Sequence, residues 1–408
     1  VTTAAVQTTL KVFTRGPAVA LRNWRRWQLR ADYLQGAAHP LQPLPAEESD
    51  PAIIDTGRAL REQLLATNQR KHAAPGYRVL ILRPASITAQ IWFDGLEQCM
   101  RHAGIDCRVL PTHTSAAEVN AAFEVQQPNV FVATESAEAL SGLDLAFIRS
   151  YKRRHSCLRL FVPFWHSRIP RKKIPGRHST AAIDAWRRRL RRGELIGDAH
   201  LSIFEPEFHE RFSQDPAGPA VDYVVIPQAC NPFFDYPIPA AKCHDYFMAA
   251  SMTDERVEVA HRFLRPILGG YRGLWAGPGW GFGTQGIPPA EMPLRYAQAR
   301  IALSPLVSFV HYYGAELTHR VYAAAACGAF QLTMPMAHTH RYFQPDELVQ
   351  AASPGEYARK FVHYVSRPLE RNACALAALR RVYGEHTGFH RVDKLVSQWD
   401  QWRRQGLF

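Results

Sequence analysis

The chain has 408 residues, of which 47% are hydrophobic and 21% charged. That balance excludes a disordered chain and suits two domains of middling size rather than one. No run of 18 apolar residues occurs, which argues against a membrane-spanning helix, and the first residues lack the pattern of a secretory signal. The formal net charge is +13, but it is not evenly spread. Residues 11–30 hold Lys11, Arg15, Arg22, Arg25, Arg26 and Arg30 without an acid, and residues 168–192 carry ten cations against Asp184 alone. These two segments contribute +6 and +9, leaving −2 for everything else.

Residues 1–75 read as a helical extension. After Pro17, Leu21, Trp24, Trp27, Ala31 and Leu34 recur at helical spacing on one face, with Arg22, Arg25, Arg26 and Arg30 opposite. Two readings stay open for this basic amphipathic helix: its tryptophans enter a core, or it meets an anionic membrane or a partner. A linker bearing Pro40, Pro43, Pro45, Glu47, Glu48 and Asp50 leads to a helix near 52–68.

From Tyr77 short apolar runs alternate with helical segments. Strands are predicted at Tyr77–Leu82, Arg108–Leu110, Asn129–Ala133, Leu158–Phe164, His200–Phe204 and Tyr223–Ile226, with helices at Gln90–Ala103 and from Ser115 to about Val125. The alternation then restarts. Strands fall at Tyr246–Ala249, Gly273–Ala276, Ile301–Leu303 and Ala329–Thr333. Helices fall at Arg256–Leu268, Pro293–Ala299, Glu316–Ala326, Pro354–Val365, Glu370–Tyr383 and from His390 to about Arg404. The pattern predicts an α/β protein of two Rossmann-like, doubly wound domains facing across a cleft. The boundaries read 1–75 extension, 76–235 first Rossmann-like domain, 236–389 second Rossmann-like domain, and a C-terminal helix in 390–408 that packs back toward the N-terminal domain.

Several chemistries lack their motifs. There is no phosphate-binding G-x-x-x-x-G-K-[ST], no G-x-G-x-x-G after the first strand, no H-E-x-x-H, no G-x-S-x-G and no D-x-D. The seven cysteines are scattered without a C-x-x-C, and His338 with His340 lacks a third ligand, so neither a disulfide framework nor a metal site is predicted. A cytoplasmic protein is the corresponding expectation. What remains is a cluster in the second domain. Gly277, Gly279 and Gly281 follow a strand, where an open α/β sheet binds ligands, and Trp280 offers an apolar wall. Further on, Gly314, Glu316, Thr318, His319 and Arg320 lead into the small-residue run Ala323–Cys327 and Gly328. Small residues let a helix lie close to the sheet, and a helix N-terminus with an arginine suits a diphosphate.

In this order the motifs resemble the spore-maturation-protein-B-like (CgeB-type) bacterial glycosyltransferases, which have the GT-B fold. The matches are Phe247–Ser251 ahead of Arg256, Gly277-Pro278-Gly279-Trp280, Arg320-Val321-Tyr322 with Gly328, and Glu385-His386-Thr387 with Arg391. Together they cover about residues 245–395. The resemblance implies a glycosyltransferase that uses a nucleotide-sugar as co-substrate, with no further cofactor or metal. Arg256 and Arg320 then stabilise the leaving diphosphate, and Gly277, Gly279, Trp280, Glu316, Thr318 and Gly328 bind the donor. It departs from the family at Ala323, where a glutamate that holds the ribose is usual; Glu316 is the candidate substitute. Glu135, Asp94 and Glu205 are available as a general base, and nothing in the sequence selects one. The patch of Arg171, Lys172, Lys173, Arg188 and Arg192 points to a polyanionic or membrane-associated acceptor, a lipid-linked glycan or nucleic acid, with peripheral contact at the inner face of the cytoplasmic membrane. Alternatives are an inactive GT-B scaffold that binds a polyanion and a transferase acting on nucleic acid.

Overall fold

The fold is that of a computed structural model, which describes residues 17–38, 47–83, 87–111, 113–134, 143–162, 197–202, 222–304, 317–336 and 338–408. In chain order the elements begin with helices α1 (Pro17–Ala38) and α2 (Pro51–Asn68), then β1 (Arg78–Leu82), α3 (Ile87–His102), β2 (Asp106–Leu110), α4 (Ala116–Gln126) and β3 (Val130–Thr134). Next come α5 (Leu145–Arg154), β4 (Leu158–Val162), β5 (Ala199–Ser202), β6 (Asp222–Val225), β7 (His244–Ala249), α6 (Asp254–Phe263), α7 (Arg265–Leu268) and β8 (Gly273–Ala276). The chain ends with α8 (Met292–Ala297), β9 (Ala299–Ser304), α9 (His319–Ala326), β10 (Gln331–Thr333), β11 (Val349–Gln350), α10 (Pro354–Val365), α11 (Pro368–Glu385) and α12 (Gly388–Arg404). Among the described residues no helix is long and apolar enough to cross a membrane.

The chain divides into two compact units. One comprises Glu62–Phe233, Ala315–His319 and Glu385–Phe408, the other Val1–Arg61, Phe234–Gly314 and Arg320–Gly384. The residues read as a separate extension are therefore divided between the units, with α1 in the second.

The first unit holds a six-stranded sheet in the order β2-β1-β3-β4-β5-β6, every neighbouring pair parallel. Strands buried on both faces must be apolar throughout, and four of the five residues of β1, Val79 to Leu82, are buried. Helix α12 closes one face. Phe389, Val392, Val396 and Trp399 recur at helical spacing and join Tyr77, Val79, Leu96 and Cys99 in one core. Trp399 meets Tyr77 edge-on at 5.2 Å, and the Arg403 guanidinium lies over the Tyr77 ring at 4.4 Å. Helix α5 has no counterpart in the sequence reading. Only Ile148 and Tyr151 are buried in its ten residues, so its apolar stripe is too sparse to stand out.

The second unit holds a five-stranded sheet in the order β11-β10-β9-β7-β8, again all parallel. Read from the other edge, both sheets place their strands in the succession second, first, third, fourth, fifth. The connection reverses direction between the first and third strands, β7 and β9 here, which leaves a crevice at their carboxyl ends.

This unit also buries a charge cluster. Arg300 pairs with Asp245 at 2.6 Å and with Glu47 at 3.2 Å, and Arg371 donates to Glu47. Main-chain bonds from Ser49 to Ala240 and from Lys242 to Glu47 hold the 47–50 segment in place. Lys242 adds a third cation to this cluster. Burial pushes its ammonium down to about 8, Arg371 and Arg300 reinforce the fall, and Glu47 opposes it. Below pH 8 the folded protein must keep a charge there that the unfolded chain carries at no cost. As pH rises from about 8 toward 10 the folded state gives up that proton first, and the penalty disappears. Lys242→Met is therefore expected to raise stability by about 2 kcal/mol near pH 7. The gain should shrink toward zero near pH 10, which paired urea unfolding curves measure.

Candidate donor site

The candidate site lies in the second unit, at the carboxyl ends of β7 and β8. The chain leaving β7 runs through Ala249, Ala250 and Ser251 to Thr253, whose side chain accepts from the Arg256 N–H and caps α6. The chain leaving β8 enters the turn Gly277–Gly283. The two stretches are stitched together: Ala250 N–H donates to Ala276 O at 2.9 Å, and Met252 N–H donates to Pro278 O at 2.8 Å. Gly277 has φ +138°, and a Cβ there would stand 2.0 Å from Ala250 O. Gly279 has φ +92° and sits at the exposed tip, against Met252. Only glycine serves both positions.

Trp280 is no wall for a base. It is wholly buried, donates its indole N–H to Ala250 O at 2.7 Å, and meets Trp275 edge-on at 4.8 Å. Without exposed ring surface it cannot stack on a ligand; it anchors the turn.

Arg320 stands in the first turn of α9. The rest of that helix is apolar and small apart from Tyr322, and Val321 through Ala326 are all buried. Arg320 donates to Ala249 O, and Arg256 donates to Ser251 O at 2.7 Å. The two guanidinium groups are thus brought to consecutive parts of one loop. Neither forms an ion pair with a carboxylate among the described residues, and the Nε of each is buried without a partner. Burial pushes Arg256 down to about 10, and the positive charge of Arg320 adds to the fall. Burial also lowers Arg320, with Tyr296 and Tyr357 opposing. Among the described residues carbonyl oxygens alone hydrogen-bond this pair of cations, and an anion would relieve their repulsion. Sequence reasoning missed Ser304, at the carboxyl end of β9, whose hydroxyl is buried without a partner. Its position at the reversal of strand order was the available signal.

The other candidate residues fall elsewhere. Gly328 ends α9 with φ +68°, and a Cβ there would meet Ile53 at 2.3 Å; it terminates the helix at the end away from Arg320. Thr318 belongs to the first unit's residues, and its buried hydroxyl has no partner. The neighbouring His319 donates its N–H to Gln228 and has its ring nitrogen 2.8 Å from Ala229 O. Asp94 is engaged by Arg83 at 2.9 Å through both carboxylate oxygens. Glu135, Glu205, Glu316 and the basic patch with Arg171, Lys172, Lys173, Arg188 and Arg192 lie outside the described residues. The Glu385-His386-Thr387 and Arg391 motif is a clamp within the first unit. Arg391 donates to the carbonyls of Pro227 at 2.9 Å, Gln228 at 3.0 Å and Glu385 at 3.2 Å, while Cys230 exchanges main-chain bonds with His386 and Gly388. Among the described residues no cluster of three metal-ligating side chains forms.

Residues 256–397 match the glycosyl transferase-like family, a span that opens on Arg256 and includes Arg320 and the Arg391 clamp. Among solved structures, the chain is similar to sucrose-phosphate synthase from Thermosynechococcus elongatus, at TM-score 0.56 and 10% identity over 81% of this chain and 99% of that one. It is also similar to T4 phage β-glucosyltransferase in complex with its UDP-glucose substrate, at TM-score 0.51 and 13% identity over 81% and 99%. A third is an α-glucosyltransferase in complex with UDP and a 13-mer DNA, at TM-score 0.50 and 10% identity over 80% and 99%. No curated protein matches the chain. The two parallel α/β units and the matched domain define the class: a glycosyltransferase with the GT-B fold.

The turn is the part of the site most exposed to a single methyl group. Gly277→Ala is expected to cost about 2 kcal/mol or more, because it adds a clash to a backbone angle that side chains avoid. Thermal unfolding of the variant beside Gly279→Ala, whose nearest neighbour stands at 3.0 Å, checks this; the Gly277 variant should be the less stable.

Proposed function

We propose that this protein moves a sugar from a nucleotide-sugar to an acceptor in bacterial glycan or glycolipid assembly, as in the spore-maturation-protein-B-like enzymes it resembles. The observation that carries the donor half of this reading is the pair Arg256 and Arg320, set at the carboxyl end of β7 with no counter-ion among the described residues. The bond from the anomeric carbon to the diphosphate oxygen breaks, the acceptor hydroxyl oxygen bonds to that carbon, and its proton passes to a base. Negative charge grows on the departing diphosphate. Two preorganised guanidinium groups meet that charge without having to reorganise, which is where such donors lower a barrier most. The fully buried Ala323 has no carboxylate to offer a ribose, so the proposal leaves that contact to Glu316.

Similar folds have been solved with UDP or UDP-glucose, which makes uridine diphosphate the first ligand to try. Calorimetry against uridine, guanosine, thymidine and cytidine diphosphates should show micromolar binding of one of them. Loss of a charge-assisted contact in Arg320→Ala or Arg256→Ala should weaken it by about 10- to 100-fold. No binding at millimolar nucleotide would refute the donor site.

The acceptor reading is an anionic, lipid-linked glycan. A second reading, transfer to nucleic acid, is favoured by the charge of +9 over residues 168–192. It predicts duplex or single-stranded binding whose affinity falls steeply with salt, with a slope reduced by substituting Arg171, Lys172 and Lys173 together.

A further inference from the structure

Helix α1 is docked the wrong way round for an ordinary surface helix. Its polar side faces the protein. Arg22 pairs with Asp254 at 3.0 Å, Arg25 with Glu258 at 3.8 Å and Asp32 with Arg265 at 2.8 Å. Gln28 meets His261 at 2.7 Å, and Arg26 donates to the main-chain oxygen of Trp280. Leu29 is fully buried, Tyr33 packs on Phe282 at 5.3 Å, and a Cβ on Gly36 would stand 1.9 Å from Leu268 O, so the backbones nearly touch. The opposite side is the apolar one, and it is largely exposed, with Trp24 also packing on the ring of His261 at 5.6 Å. Trp27 is 65% exposed, Leu34 52%, Trp24 48% and Leu21 45%, with Ala31 exposed between them. At 100° per residue, Trp24, Trp27, Ala31 and Leu34 centre about 180° from Leu29, Tyr33 and Gly36. The arginine face and the tryptophan face have exchanged the places that solubility alone would give them.

We infer that this face of α1 lies on an anionic lipid surface. The stripe runs about 20 Å along the helix and exposes on the order of 400 Å2, the size at which bare apolar patches mark interaction sites. That is roughly half of the 800 Å2 per partner that a stable protein interface takes, so a second copy of this chain would need more than the stripe provides. A bilayer needs no complementary surface, only a convex apolar ridge that can sink about 5–10 Å into the headgroup boundary. Tryptophan is the residue that favours that depth, having an apolar ring and one polar N–H. The charge agrees. Arg22, Arg25 and Arg26 are turned to the protein, but the exposed Arg30 stands beside the stripe with no carboxylate partner among the described residues, and the sequence just before the helix adds Lys11 and Arg15 without an acid. Each cation near an anionic surface adds attraction. The inference rests on the exposure of α1 and is independent of the donor reading.

The test is sedimentation of the full chain with phosphatidylcholine vesicles, with and without phosphatidylglycerol, beside the double variant Trp24→Ala/Trp27→Ala. Trp27 is mostly exposed and Trp24 gives up its contact with His261, so the variant should stay folded, which its thermal unfolding checks beside the wild type. The expected result is binding to the anionic vesicles, weakened about tenfold or more in the variant, with tryptophan fluorescence quenched by brominated lipid in the wild type and much less in the variant. Nucleoside diphosphate affinity, measured on the same preparations, should not change. No wild-type binding to anionic vesicles would overturn the inference, as would binding that the variant retains. A wild-type dimer that the double variant turns into a monomer without any vesicle binding would assign the stripe to a second copy.

Discussion

The donor reading of this protein turns on two like charges held close together with no carboxylate paired to either among the described residues. Arg256 and Arg320 reach carbonyls two residues apart where the chain leaves β7, each has a buried Nε without a partner among the described residues, burial makes both harder to keep charged, and Arg320 adds to the effect at Arg256. A protein does not keep such an arrangement for stability, because removing either cation would relieve repulsion and desolvation together. It is an arrangement that an anion completes.

The fold supplies the geometry through close approach rather than through special chemistry. The run of buried alanines in α9 lets the helix settle on the sheet, and this carries Arg320 to the end of β7. The glycine turn after β8 can fold against Ala250 because Gly277 has no Cβ, and Trp280 fills the space beneath it. Arg26 of α1 reaches the same tryptophan's main chain, so the helix whose outer face is apolar also braces the turn. The Glu47, Asp245, Arg300 and Arg371 cluster then fastens the segment following α1 to the body of the unit.

The sheets were legible because parallel strands buried on both faces read as apolar runs, as at Val79–Leu82; of Ala299–Ser304 only the apolar Ile301–Leu303 was read as strand, because Arg300 breaks the run and Ala299 fitted the preceding helix. Strand β11, two residues long, and α5, with two buried side chains, carry too little pattern to be seen. Arg256 to Leu268 read as one helix, yet the chain breaks at Leu264, ahead of Pro266. The arginines of the site were visible as motif positions, but their lack of counter-ions was not, since that depends on what folds around them. Trp280 and the tryptophans of α1 show the same limit in opposite senses. An apolar ring near a glycine turn is as well suited to a core as to a ligand, and only packing decides. For α1 the periodicity identified both faces correctly and could not say which one the protein would cover.

The most direct test is a crystal structure with the nucleoside diphosphate selected by calorimetry. The account predicts the diphosphate bridging the guanidinium groups of Arg256 and Arg320, with phosphate oxygens within hydrogen-bond distance of both, beside the Gly277–Gly281 turn. A nucleotide bound elsewhere, or one whose phosphates leave both arginines on their carbonyls alone, would contradict it.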